Sequence, residues 1–119
     1  MEIVRVAAEI EKKIATLEKG RALLQERATN KANSIAEYEK ALAKTLIKLR
    51  NGVAFDWDGE KIKDPPASYT ERIAKGLCYK EKIAMDLAES EYKNAIEGLR
   101  CIESELNGWQ SINRYLQDK

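Results

Sequence analysis

The chain contains no histidine, a single phenylalanine, two prolines and two cysteines among its 119 residues. Without histidine, neither a His-based catalytic triad nor an ordinary zinc site can be assembled. The two prolines are adjacent, Pro65-Pro66, so no other position carries a residue that forbids a helix interior. No apolar run approaches the ~18 residues of a membrane span. The opening MEIVRVAAEIEKK carries acids where a signal peptide would hold an apolar stretch, and a cytoplasmic protein with no membrane partner is expected. Cys78 and Cys101 fall in one predicted helix, where they would stand ~35 Å apart, far beyond disulfide reach. They are expected to be reduced, partly buried thiols.

Catalytic and metal motifs are missing too. There is no Gly-rich phosphate loop and no G-x-S-x-G. Asp56, Asp58, Glu60 and Asp64 lie close together, but a calcium loop needs acids at its first, third, fifth and twelfth positions with a central glycine. No enzyme, no cofactor and no metal site is expected.

What is present is charge and helical periodicity. Charged residues make up 34% of the chain, at a net charge of +1, and mean hydropathy is -0.55. The charge is unevenly spread: residues 1–50 carry +4, residues 51–67 carry −2 and residues 68–119 carry −1. A dedicated duplex-DNA binder has a stronger basic excess.

Across the first fifty residues apolar side chains recur at alternating steps of three and four: Ile3, Ala7, Ile10, Ile14, Leu17, Leu24, Ala28, Ile35, Tyr38, Leu42 and Leu49. This spacing predicts a heptad seam on one long helix over 2–50, broken only by Arg21, Lys31 and Thr45. Asn51-Gly52 terminates it, since both residues tolerate positive φ. A tip over 51–67 follows, in which Val53, Phe55 and Trp57 alternate with Ala54 and Asp56. Asp58-Gly59 suits a tight hairpin turn and Ile62 a short return strand, so the tip is a small β-hairpin or a compact loop. Ser68 then opens a second helix over 68–117, with Ser68 and Glu71 spaced for a capping box. Its seam is Ile73, Leu77, Ile83, Leu87, Tyr92, Ala95, Leu99, Ile102 and Leu106, with a shift near 84–92. Asn107-Gly108 offers an end or a kink.

The expected fold is therefore all-α: one domain over residues 1–119, a long antiparallel, coiled-coil-like helical hairpin. If its turn centres near Gly59, residue i lies opposite roughly residue 118 − i. That register pairs Lys13 with Glu105, Arg21 with Glu97 and Arg27 with Glu91, and sets Gly20 beside Gly98. Two helices have one interface, which would leave Val6, Ile47, Met85 and Ile96 poorly covered, so a homodimer forming a four-helix bundle is expected.

Two residue groups are candidate sites. At the tip, Phe55 and Trp57 are flanked by Lys48 and Arg50 and by a stripe of Lys40, Lys44 and Lys48. Aromatic rings beside cations can stack a base and neutralise phosphates; equally, Phe55 and Trp57 could plug the end of a bundle while the lysines solvate a face. At the tail, Trp109, Gln110, Asn113, Arg114 and Tyr115 could read a nucleotide or anchor a protein, or Trp109 and Tyr115 could cap the core opposite Ile3 and Val6. An antiparallel dimer would bring Trp57, Lys48 and Arg50 of one copy toward Trp109 and Arg114 of the other.

The segments AEYEKALAKTLIKLRNG, IAKGLCYKEKIAMDLAESEYKNAI and ELNGWQSINRYL resemble small helical accessory proteins of phages and prophages of Gram-positive bacteria. The run Leu106 to Leu116 is the most specific part. The resemblance implies an early-expressed phage accessory protein acting in the host cytoplasm, without giving a mechanism or functional residues. Two function classes stay open beside a plain structural rod with no small ligand. One is a binding protein that sequesters or blocks a host factor, either a defence protein or a signalling nucleotide. The other is an accessory of phage recombination or replication that binds single-stranded DNA or a partner protein.

Overall fold

The computed structural model describes residues 3–118. The elements are α1 (Ile3–Arg50), β1 (Phe55–Trp57), β2 (Glu60–Ile62), α2 (Ala67–Leu77) and α3 (Tyr79–Gln117). The chain is mostly helical, with α1 packed against α3 as an antiparallel hairpin and the small β-hairpin between them. Among the described residues no helix is long and apolar enough to cross a membrane.

Each boundary has a local cause. α1 ends in a Schellman arrangement: the N–H of Val53 donates to the Lys48 carbonyl at 3.0 Å and that of Gly52 to the Leu49 carbonyl at 3.2 Å. This requires the left-handed backbone that Gly52 adopts at φ 77°. β1 and β2 pair antiparallel, Phe55 with Ile62 and Trp57 with Glu60. Asp58 and Gly59 both take positive φ, 50° and 83°, as a two-residue type I′ hairpin turn requires.

Two expectations for the second helix are corrected. The capping box does not form: the residue before the helix is Pro66, no side chain caps the free N–H groups, and the Thr70 hydroxyl instead donates to the Pro66 carbonyl at 3.2 Å. Pro66 stands at the N-cap with extended backbone (φ −52°, ψ 141°), and its carbonyl accepts from the Tyr69 N–H at 2.9 Å as the helix begins. The helical run also breaks at Cys78 (φ −94°, ψ 25°), which separates α2 from α3, whereas α3 continues through Asn107-Gly108. Glycine tolerates a turn without demanding one. Inside a long helix it costs only about 1 kcal/mol.

The chain divides into two compact units, Asn30–Glu89 and a second formed by the segment up to Thr29 with that from Ser90 onward. We call them the hairpin unit and the terminal unit. In the terminal unit the covered positions of α1 run through Val6, Ile10, Lys13, Leu17, Gly20, Leu24 and Arg27, with Glu9 and Ala28 half-buried beside them. Those of α3 run through Tyr92, Ala95, Leu99, Ile102, Leu106, Trp109, Asn113 and Leu116, with Ile96 half-buried beside them. Both series keep the three-four spacing of a heptad seam, but the α1 series is not the one expected from its apolar residues. Ile3, Ala7 and Ile14 are exposed, while Val6, expected to be poorly covered, is fully buried. Leu17, Leu99 and Leu106 form the core, with Ile10, Leu24 and Ile102 against it.

In the hairpin unit Leu49, Ala74 and Cys78 are buried. The Thr45 hydroxyl lies 3.4 Å from the Cys78 sulfur, and the Lys82 ammonium stands 5.7 Å from the centre of the Tyr38 ring. Here α3 covers Glu81, Met85 and Ala88 and leaves Ile83 and Leu87 exposed. The expected seam shift near 84–92 is therefore absent; the heptad holds and passes through a glutamate and an alanine.

Candidate binding groove

The terminal unit carries a groove of about 340 Å³ on the flank between α1 and α3. Its origin lies in two glycines. At Gly20 a Cβ would sit 2.8 Å from Leu99 Cδ2, so the missing side chain is what lets Leu99 settle against α1. At Gly98 a Cβ would meet nothing within 4 Å; that side of α3 is open. Leu23, Ala95, Leu99 and Ile102 give the groove an apolar lining, and Arg27, Glu91 and Asn94 make its polar end. The guanidinium of Arg27 donates to the Glu91 carboxylate at 2.9 Å, so this cation already has its counter-ion.

On the same unit Lys13 forms an ion pair with Glu105, and the Cys101 thiol donates to the other carboxylate oxygen at 3.7 Å. The hydrogen bond between the two groups, reinforced by their opposite charges, raises the Lys13 pKa above 10.5 and lowers that of Glu105 below 4.5. Two of the three expected interhelix pairs thus form. The third does not: Arg21 and Glu97 are both exposed, and among the described residues neither enters an ion pair.

The residues singled out in the sequence fall into two groups that belong to different units. Trp57 and Phe55 are half-buried on β1. A Cβ at Gly76 would lie 2.5 Å from Cη2 of Trp57, so the indole is seated directly on the backbone of α2. Lys48 and Arg50 are exposed. Lys40 and Lys44 share a surface hollow with Glu37 and Glu81, whose carboxylates dilute the lysine stripe. In the tail, Trp109 and Asn113 occupy the covered seam of α3, whereas Gln110, Arg114 and Tyr115 face outward. Of the groove, the sequence pointed to Gly20, Gly98 and the Arg27–Glu91 pair as features of the register and to Ala95, Leu99 and Ile102 as seam positions, but not to Leu23 or Asn94. Among the described residues no group of three or more His, Cys, Asp or Glu is placed to hold a metal ion.

Compared with protein-family models, curated proteins and solved structures, the chain matches none.

Proposed function

We propose that the chain is a non-enzymatic binding protein that occupies a partner protein, a host-factor-blocking role open to a small phage accessory protein. The groove carries this reading. Its lining is mainly apolar, its volume of about 340 Å³ suits one or two apolar side chains, and convergent polar groups at one end would fix their orientation. A signalling nucleotide is less well served, because phosphates need cations that are not already neutralised, and Arg27 is held by Glu91. Single-stranded DNA is less well served for the same reason at the lysine stripe, where Glu37 and Glu81 intervene.

The test is native mass spectrometry of the chain purified gently from its source, as wild type and with the groove altered by Leu23→Glu or filled by Ala95→Trp. A co-purifying protein lost from both variants supports the groove as its site. A discrete nucleotide-like mass that survives both changes would return attention to Trp57, Trp109 and Arg114. Binding to single-stranded DNA that weakens steeply with salt would favour the replication role instead.

A further inference from the structure

The apolar residues of α1 and the contacts α1 makes within the chain do not coincide. In the terminal unit the positions turned toward α3 alternate between apolar side chains (Ile10, Leu17, Leu24) and Lys13, Gly20 and Arg27. One residue beyond Val6, Lys13, Gly20 and Arg27 lies a second stripe, Ala7, Ile14, Arg21 and Ala28. Ala7 and Arg21 are exposed, Ile14 keeps 42% of its surface in water, and only Ala28 is half-buried. An apolar side chain such as Ile14 lying outside the strip that α3 covers marks a helix with room for a second neighbour. The same stripe continues in the hairpin unit as Ile35, Leu42 and Leu49, and there Leu49 falls to 2% exposure.

The surface left in water sets the scale. The chain exposes 8710 Å², and a compact monomer of its 13.5 kDa would expose ~6,500 Å². The excess of about 2,200 Å² is what each copy contributes to a large homodimer interface, which removes roughly 2,000–5,000 Å² in total.

We propose that this stripe is covered by the same stripe of a second copy, α1 against α1, antiparallel about a two-fold axis near Leu17. That axis sets Ala7 opposite Ala28 and Ile14 opposite Arg21. Small residues meet small ones, and the arginine stem lies along the isoleucine. It also brackets each Arg21 guanidinium with Glu11 and Glu18 of the other copy. All three side chains are exposed, and among the described residues none of them forms an ion pair within its own chain. The stripe lies apart from the groove, so self-association and partner capture can fail separately.

Light scattering and sedimentation equilibrium of the full chain test this. Wild type is expected at twice its 13.5 kDa. Ile14→Arg should weaken the dimer by about a hundredfold or more, because it sets a second cation against the Arg21 guanidinium of the other copy at both symmetry-related places. Arg21→Glu, at an exposed position, should weaken it by roughly tenfold or more. Adding Glu11→Arg and Glu18→Arg to that variant should restore it. A monomeric wild type overturns the proposal. So does a dimer indifferent to both Ile14→Arg and Arg21→Glu, or an Arg21→Glu defect that the compensating pair does not rescue.

Discussion

Leu49 in the hairpin unit is 2% exposed and Leu17 in the terminal unit 8%, although both sit on α1 in an apolar heptad position. The hairpin unit adds β1, β2 and α2 to its two helical segments, and Ala74 and Cys78 of that added layer are themselves buried. Among the described residues the terminal unit has two helical segments only, and full burial there is confined to Val6 on the covered strip. A pair of helices can shield one strip of each partner, so side chains beside that strip stay wet however apolar they are. A third element as small as a helix of about three turns is enough to change this.

The comparison predicts unequal costs of truncation. Leu49→Ala should destabilise by about 3–5 kcal/mol and Leu17→Ala by about 2–3 kcal/mol, the upper and lower parts of the range for buried leucines. Hydrogen exchange along α1, read separately before Thr29 and after Asn30, would assign each loss to its unit. Equal losses would erase the distinction.

Glycines sharpen it further. Gly76→Ala should cost about 1–3 kcal/mol and redden Trp57 fluorescence, because the new methyl would enter the indole ring and the ring must tilt out. Gly98→Ala should instead stabilise by about 0.5–1 kcal/mol, since open space surrounds it and alanine is the better helix former. Thermal melts of the two variants should move in opposite directions.

The smallest effect concerns Lys13–Glu105. The folded-state pKa of Glu105 is lowered, so its contribution is present above the ordinary carboxylate value of 4.5 and disappears as pH falls through the lower folded value. The pKa of Lys13 is raised, so its contribution is complete below 10.5 and disappears as pH rises through the higher folded value. Lys13→Met should therefore flatten a slight stability plateau between those limits, seen in melts across pH at low salt. Raising the ionic strength should shrink the difference, as for any exposed pair.

Much of this was legible in the residues. Asp58-Gly59 and Asn51-Gly52 identified the turn and the helix end because each demands a backbone that few residues adopt. Charge spacing at a fixed sum of residue numbers located Lys13–Glu105 and Arg27–Glu91. The phase of the α1 seam was not legible, since two apolar stripes overlap and the one that looks continuous is not the one α3 covers. Nor was the break at Cys78, where no proline or helix-ending glycine stands. Gly76 two residues earlier serves Trp57 instead. The groove was hidden because it arises from missing side chains at Gly20 and Gly98 rather than from any motif.

The Asp58-Gly59 turn also orders the chain in time. Its strands join neighbours, Thr45 and Cys78 meet across 33 residues, Arg27 and Glu91 across 64, and Lys13 and Glu105 across 92. Each doubling of an open loop adds about 0.6 kcal/mol to the entropy of closing it, and every contact already made nearer the turn shortens the loop that remains. This ordering predicts folding as a zipper from the turn toward the two chain ends, which pulsed hydrogen exchange would follow. Lys13–Glu105 is expected to close after Arg27–Glu91 and to open before it, with the Val6 and Leu116 end of the seam later still.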